Sequence, residues 1–444
     1  MEPLLLAIDQ GTTGTTALLV TPDGETKGRA YREVPVSYPL PGWVEQDAQQ
    51  LLESVLATAQ EVLASVDDGP VAMGIANQRE TLVVFDRSTL EPVAPAIVWQ
   101  CRRSLDLCAA HREAGDEHEI RRRTGLLLDP YFTATKIEWL LREQPHLRAR
   151  AQRGELCAGT VDTWLIARLT DGQVFATDAS NASRTMLYDL ERGRFDQELA
   201  DVFAVPFELL PEVVPSAERI GLTEPSAFLG RRVPICGLAG DQQAALFGQA
   251  CVRPGMSKNT YGTGSFVLVN IGSQLVDPGH GLLTTVAWRL QGQDVFALEG
   301  SIFVTGAGLK WLRDGLGLIR SVSEAGPLFD SVPDSKGCFF VPALNGLGAP
   351  FWDPRARGAL LGLSAGVTRA HVVRAVVEAM AYRTRDVVEA MEIAGGITFD
   401  ELRVDGGASV MDGLCQFQSD LLGIPVTRAR TSETTAHGAA LLAA

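Results

Sequence analysis

The sequence predicts an α/β protein built of two related halves, and three observations carry that prediction. Its 444 residues are too many for one small module at ~100–200 residues per domain. Short apolar runs typical of buried strands and longer runs with helical apolar spacing both recur along the chain. One strand–Gly/Thr–strand unit heads each half, first across Leu4–Val20 and again across Ser257–Asn270.

The elements follow in order. Leu4–Asp9 enters Gly11-Thr12-Thr13-Gly14-Thr15-Thr16 and leaves through Ala17–Val20, which reads as a β-hairpin. A helix is expected near residues 47–66. There Leu51, Leu52, Val55, Leu56, Ala59, Val62 and Leu63 share one face behind an Asp47 N-cap. Val71–Ala76 and Thr81–Phe85 read as strands joined by the polar turn Asn77-Gln78-Arg79-Glu80. Pro234–Leu238 is a strand ending in Ala239-Gly240-Asp241-Gln242-Gln243, and Gly248, Pro254 and Gly255 punctuate the chain after it. The domains are therefore placed at residues 1–250 and 251–444. In the second, Ser257–Tyr261 runs through Gly262-Thr263-Gly264-Ser265 into Phe266–Asn270. Helices are expected at 304–318 and 369–394, the latter with His371 on or near its apolar face. Leu402–Asp405 is a strand entering Gly406-Gly407-Ala408, and a last helix begins near Thr434.

Composition narrows the functions. Net charge is −15, which gives no electrostatic support for binding nucleic acid. No run of 18 apolar residues exists, so no membrane span is expected, and the N-terminus lacks the basic region of a signal peptide. The seven cysteines form no CxxC pair; a reducing cytoplasm fits better than a disulfide framework. There is no HExxH, and His111 and His118 lie in a charged stretch read as a solvated helix face. GxGxxG and GxxxxGK[ST] are both absent. Any nucleotide must be held by other glycines, backbone N–H groups or a metal.

Three glycine-rich strand ends offer such donors: 9–16, 262–265 and 405–408. Asp9, at a strand end, can hold Mg²⁺ through water. Asp241 follows Gly240 at another strand end. Phosphoryl transfer to an alcohol needs in-line positioning, charge neutralisation and one carboxylate to take the hydroxyl proton. Spacing alone favours Asp241 as a helix N-cap, and the two roles can coexist. Arg79-Glu80 could bind adjacent hydroxyls, Arg donating and Glu accepting. Taken alone it reads first as an exposed ion pair. Trp99 and Tyr131 read as core aromatics before they read as a substrate wall.

Longer stretches add a resemblance. They are DQGTTGTT at 9–16, NQRET at 77–81, IVWQCRR at 97–103, DPYFTATKIEWLLRE at 129–143, GTVDTWL at 159–165, NASRTM at 181–186, AGDQQAALFGQ at 239–249 and KNTYGTGSF at 258–266. Tyr131, Thr133, Lys136, Trp139 and Glu143 meet one signature pattern; Gly358, Leu360, Gly362, Leu363, His371, Ala375 and Glu378 meet another. The sequence closely resembles the glycerol kinases within the FGGY carbohydrate kinases. The resemblance implies two ribonuclease-H-like, actin-like ATPase lobes around a central interdomain cleft.

It also implies roles, residue by residue. Glycerol would lie against Arg79, Glu80, Trp99, Tyr131, Asp241, Gln242 and Phe266. Arg79, Glu80, Asp241 and Gln242 would bond its hydroxyls; Trp99 and Phe266 would pack its carbons. Asp241 would be the general base. Thr12, Thr13, Gly14, Gly262 and Thr263 would hold the phosphates of ATP, Gly306 and Gly407 would border the adenosine, and Asp9 would serve Mg²⁺. The reaction implied is ATP plus glycerol to ADP plus sn-glycerol 3-phosphate, in the cytoplasm, with a dimer or tetramer open. A non-catalytic nucleotide binder and a kinase of another polyol or sugar are the alternatives. The sequence departs from the family at Thr16, where an arginine is common, at Lys310 near the nucleotide, where glutamine is, and at Met411 near the adenine, where asparagine is. The Gly-Lys-Gly loop that binds a sugar bisphosphate in relatives is absent from 217–231, and no histidine lies between His146 and His280. Family chains continue past the point matching Ala444, so the second lobe is expected to be incomplete and Ala439–Ala444 to expose core surface.

Overall fold

The computed structural model describes residues 3–64, 66, 69–279, 281–353 and 355–444; His280 and the end of the helix expected at 47–66 involve positions outside them. The chain forms two compact units. The first comprises Met1–Gly248, Thr285–Phe296 and Thr435–Ala444; the second comprises Gln249–Thr284 and Ala297–Thr434. A single cut near residue 250 therefore misses two later segments that return to the first unit.

The first unit is built on six strands, β1 (Leu5–Gln10), β2 (Gly14–Val20), β3 (Thr26–Glu33), β4 (Ala72–Asn77), β5 (Ala217–Leu222) and β6 (Pro234–Gly240), in the order β5-β6-β4-β1-β2-β3. β1 and β2 form the antiparallel hairpin, and β1, β4 and β6 run parallel. Because side chains alternate along a strand, β1 sends Leu6 and Ile8 to one face and Leu5 and Ala7 to the other. Both faces are covered, which is why β1 reads as a continuous apolar run. On the first face lies the helix Ala48–Leu63, with Leu51, Val55, Ala59 and Val62 packed among Leu19, Ile75 and Ile235. Its N-cap is Asp47, whose carboxylate accepts the Gln49 N–H at 2.9 Å.

The helix Thr434–Ala443 covers the opposite face, and here the structure overturns an expectation. Ala439, Ala440, Leu442 and Ala443 are buried among Leu5, Ala7, Leu18, Ala72 and Ala239, so this end does not bare core surface. Glycines make the close approach possible. A Cβ on Gly74 would stand 1.9 Å from the Ala439 carbonyl oxygen, and one on Gly438 would stand 1.8 Å from that of Ala244. The last helix belongs to the first unit.

A second six-stranded sheet repeats the plan. Its strands are β7 (Ser257–Tyr261), β8 (Ser265–Gly272), β9 (Leu283–Leu290), β10 (Gln293–Ile302), β11 (Leu402–Asp405) and β12 (Val426–Arg428), in the order β9-β10-β8-β7-β11-β12; the stretch Thr285–Phe296 of β9 and β10 is counted with the first unit, the rest with the second. β7 and β8 are an antiparallel hairpin; β7, β11 and β12 run parallel. The two related α/β halves are thus borne out. The helix Arg369–Gly395 packs Val373, Val376, Val377 and Met380 against Leu402 and Val404. His371 stays off that apolar face, since its Nδ1 accepts the Thr368 N–H at 3.0 Å. The helix expected at 304–318 is shorter, an α segment Gly306–Lys310 that passes into one π turn, Trp311–Gly315.

His111 also differs from expectation. Its side chain is 12% exposed, not solvated. Nδ1 lies 2.8 Å from Asp116 and Nε2 lies 2.9 Å from Glu138, and only the imidazolium can donate to both. The Glu138 hydrogen bond raises the imidazole's pKa above its ordinary value, burial opposes this, and Asp116 adds to the rise. A raised folded-state pKa means that the folded protein binds the extra proton. The resulting stability is complete below the unfolded value of 6.5 and is lost as pH climbs through the folded value. Thermal unfolding should therefore show a larger Tm deficit for His111→Gln well below pH 6.5 than well above it. An equal deficit on both sides would contradict this assignment.

Candidate active site

The first unit gathers its polar side chains where β1, β4 and β6 end. Register places Gln10 beside Asn77 and Asn77 beside Gly240, so three chain segments leave the sheet together. The turn after β4 holds Arg79 and Glu80, and Glu80 has a left-handed backbone, φ 59°, uncommon without glycine. The pair is not an exposed ion pair. The Arg79 and Glu80 side chains are 2% and 1% exposed, with Nε and Oε1 3.8 Å apart.

Arg79 is enclosed by acceptors. Its Nε stands 3.3 Å from Asp241 Oδ1, Nη2 donates to the Tyr131 hydroxyl at 3.3 Å, and Nη1 donates to Gln243 Oε1 at 3.3 Å. Gly240 is needed for this, because a Cβ there would lie 2.7 Å from the Arg79 side-chain carbons. Asp241 opens the helix Asp241–Gly248, and its Oδ1 accepts the Gln242 N–H at 2.7 Å. Asp241 is thus the first residue of the helix and not the N-cap read from the sequence, which would precede the helix and accept an N–H two or three residues on. The carboxylate also meets Arg79, and at 27% side-chain exposure it is the most accessible charge of the group. Gln242 follows it, half-buried.

Trp99 and Tyr131 are half-buried and not core residues. Their rings meet edge to face at 5.6 Å. Trp99 Nε1 donates to Thr12 Oγ1 at 2.8 Å, which ties the aromatic wall to the β1–β2 hairpin. Lys136, fully buried, donates to the carbonyls of Tyr131 and Phe132. Burial pushes its pKa down to about 8, with Glu80 pulling the other way.

Several contributors escaped the sequence reading. Arg184 Nε donates to Glu80 Oε1 at 2.7 Å and is itself fully buried. Ser180 Oγ donates to Asp178 at 2.9 Å and accepts the Gly240 N–H at 2.9 Å, which fixes the strand end just before Asp241. Arg184 and Ser180 lie in or beside the NASRTM run, so that run was the available signal. Their partners are about a hundred residues earlier or sixty later in the chain, a distance that no local pattern reports.

The phosphate candidates sit on two turns, one in each unit. In the first unit the hairpin closes by Gly11 N–H to Gly14 O at 2.9 Å. Thr13 is exposed, and a Cβ on Gly14 would collide at 2.5 Å with Tyr31 and the Arg32 carbonyl. Asp9 is half-buried one residue before the end of β1, opposite Thr16. In the second unit Gly262 N–H bonds Gly264 O at 2.8 Å, and Gly306 and Ala307 donate to the Gly262 and Thr263 carbonyls, each at 3.0 Å. Gly406 abuts the Tyr261 backbone, with a virtual Cβ at 2.5 Å. Gly262, Thr263, Gly306 and Gly407 therefore gather at one end of that sheet. Phe266 lies on β8 opposite Thr260. Lys310 is exposed, and Met411 packs against the second unit's core.

Arg184 supplies a direct test of the first unit's network. Arg184→Met strips a guanidinium from a buried carboxylate and should lower unfolding stability by about 3–5 kcal/mol, measured by denaturant titration. A loss within about 0.5 kcal/mol, typical of surface substitutions, would remove Arg184 from this role.

Comparison with known proteins identifies the family. The FGGY family of carbohydrate kinases matches the chain in both its domains, the N-terminal domain over residues 4–248 and the C-terminal domain over residues 257–444. The chain is 52% identical over 446 aligned residues to the glycerol kinase of Pseudothermotoga lettingae, across 100% of this chain and 89% of that protein. It is 50% identical to glycerol kinase 2 of Thermotoga maritima, across 99% of this chain and 89% of that one. Among solved structures, Plasmodium falciparum glycerol kinase with ADP superposes with a TM-score of 0.94 at 32% identity, again covering 100% and 89%. Gluconate kinase from Lactobacillus acidophilus, at 20% identity and a TM-score of 0.90, shares the fold over 100% of this chain and 89% of its own. With both family domains matched along nearly the whole sequence, the chain belongs to the FGGY family of carbohydrate kinases.

Proposed function

We propose that this chain phosphorylates glycerol with ATP, giving sn-glycerol 3-phosphate and ADP. One observation carries the reading: a partly exposed Asp241 carboxylate held by a buried arginine, Arg79, beside a second buried carboxylate, Glu80, with Trp99 and Tyr131 at their side. A small polyol needs donors, acceptors and an apolar wall within a short reach. Arg79 supplies donors, Glu80, Asp241 and Gln242 supply acceptors, and Trp99 packs the carbons; Phe266, of the second unit, is a further candidate by resemblance. The relatives named glycerol kinase, about half identical over their shared length, support this substrate over other polyols.

Asp241 acts as general base. Its carboxylate takes the proton of the terminal hydroxyl as that oxygen bonds to the γ-phosphorus, and the bond from the γ-phosphorus to the β–γ bridging oxygen breaks to release ADP. Thr12, Thr13 and Gly14 are phosphate-binding candidates on one glycine turn, and Gly262 and Thr263 are candidates on another. Gly306 and Gly407 border the adenosine, with Lys310 and Met411 near it.

Asp9 fits Mg²⁺. No cluster of three ligating side chains occurs among the described residues, and Mg²⁺ in phosphoryl-transfer sites is held by one or two carboxylates with phosphates and water. A half-buried carboxylate beside the phosphate hairpin matches that donor set. The ion would supply charge neutralisation on the phosphates.

ADP release measured with glycerol and with a panel of other polyols and sugars tests the reading. Glycerol should give the highest kcat/KM. Turnover confined to another acceptor would replace the substrate, and ATP binding without turnover would reduce the chain to a nucleotide binder. Asp241→Asn should lose about 10²–10⁴-fold in kcat while ATP binding is retained. Full activity in that variant would eliminate Asp241 as the base.

A further inference from the structure

Behind the wall, a closed ring of hydrogen bonds joins the acceptor turn to the phosphate hairpin. Gln78 Nε2 donates to Gln46 Oε1 at 2.9 Å, and Gln46 Nε2 donates to the Thr12 carbonyl at 2.8 Å. Trp99 Nε1 donates to the Thr12 hydroxyl at 2.8 Å, and the Trp99 N–H donates to Thr81 Oγ1 at 3.2 Å. Thr81 Oγ1 donates back to Gln78 Oε1 at 2.9 Å. A spur runs from Gln78 Nε2 to Gln10 Oε1 at 3.1 Å, and Gln10 Nε2 donates to the Gly11 carbonyl at 2.7 Å. Gln78, Gln46, Gln10 and Thr81 are all buried.

The ring is directional. Gln78 spends its amide nitrogen on two side-chain carbonyls and its oxygen on a hydroxyl, so a flipped amide would set oxygen against oxygen twice. Buried polar groups in such a circuit resist rearrangement, because breaking one bond leaves a partner unsatisfied. Gln78 is also the residue that leads from β4 into Arg79 and Glu80, and its own N–H donates to the Gln10 carbonyl at 2.7 Å. It thus touches both β1, which enters the phosphate hairpin, and the turn that carries the acceptor-binding pair.

We propose that Gln78 is a positioning residue that sets the alignment of the acceptor alcohol on the phosphate hairpin. The inference rests on the glycerol kinase reading. Gln78 touches neither substrate; it holds Thr12 and the Arg79–Glu80 turn in one frame, and in-line transfer is sensitive to small displacements of either. Its loss should lower kcat and leave the binding of each substrate nearly intact.

Gln78→Met keeps the volume and removes the amide. In the assay with glycerol and ATP its kcat should fall about 10- to 100-fold, with the dissociation constants of glycerol and of ATP, measured separately by calorimetry, changing by no more than a few-fold. Gln46→Met breaks the same ring at its other amide and carries the test alone should Gln78→Met not fold. The double variant should be no slower than the slower single variant, since one link is cut either way. An unchanged kcat in a folded single variant, or losses that multiply, would overturn the inference. So would a loss confined to substrate binding. Turnover of glycerol by the unaltered chain separates this outcome from failure of the functional reading, which would show as no glycerol turnover at all.

Discussion

The site depends on keeping one guanidinium out of water. Arg79 is 2% exposed, and burying an unpaired charge is costly enough that proteins rarely do so. Here two carboxylates, a phenol and an amide surround it. The arrangement constrains the backbone on both sides. Residue 240 must lack a side chain, and Glu80 must accept a left-handed conformation that costs on the order of 1–3 kcal/mol. Arg184 and Lys136 then follow as consequences, since the buried Glu80 carboxylate and the buried carbonyls at the start of the next helix each need a cation or donors.

Much of the fold was legible because local chemistry decides it. The two hairpins, the Asp47 cap, the strand Leu402–Asp405 and the last helix all rest on neighbours within a few residues. The errors share a cause. His111 looks solvated when only its own helix is considered, but Glu138 comes from a helix 27 residues further on. The alanine-rich end looks bare until Gly74 and Gly237 are seen to leave a groove for it on a sheet formed hundreds of residues earlier. Arg79 and Glu80 look like a surface pair because the residues that bury them lie more than fifty positions away. Residue type identified the candidates for the acceptor site; only tertiary packing supplied their burial.

The two sheets also explain why the functional residues cluster. In each, an antiparallel hairpin adjoins strands that run parallel to its first member, so several strands end side by side. Parallel strands bring their carboxyl ends, and the loops that follow, to one edge, where ligands are commonly bound in open α/β sheets. Asn77, Gly240 and Gln10 meet this way in the first unit, and Tyr261 and Asp405 lead to neighbouring turns in the second.

The duplicated plan is not used equally. The glycine turns of both units are shaped by their own backbones, closed by N–H to carbonyl bonds and kept free of Cβ atoms, so they suit a ligand recognised mainly through oxygen atoms, as phosphates are. The buried charged side chains and the aromatic pair proposed for the acceptor belong to the first unit. The acceptor-site candidates are side chains whose positions require burial, a particular glycine and partners from distant segments. The fold persists at 20% identity, whereas the Arg79–Glu80 turn is braced by particular buried residues, Arg184 on the Glu80 carboxylate and Gln78 on the Gln10 carbonyl.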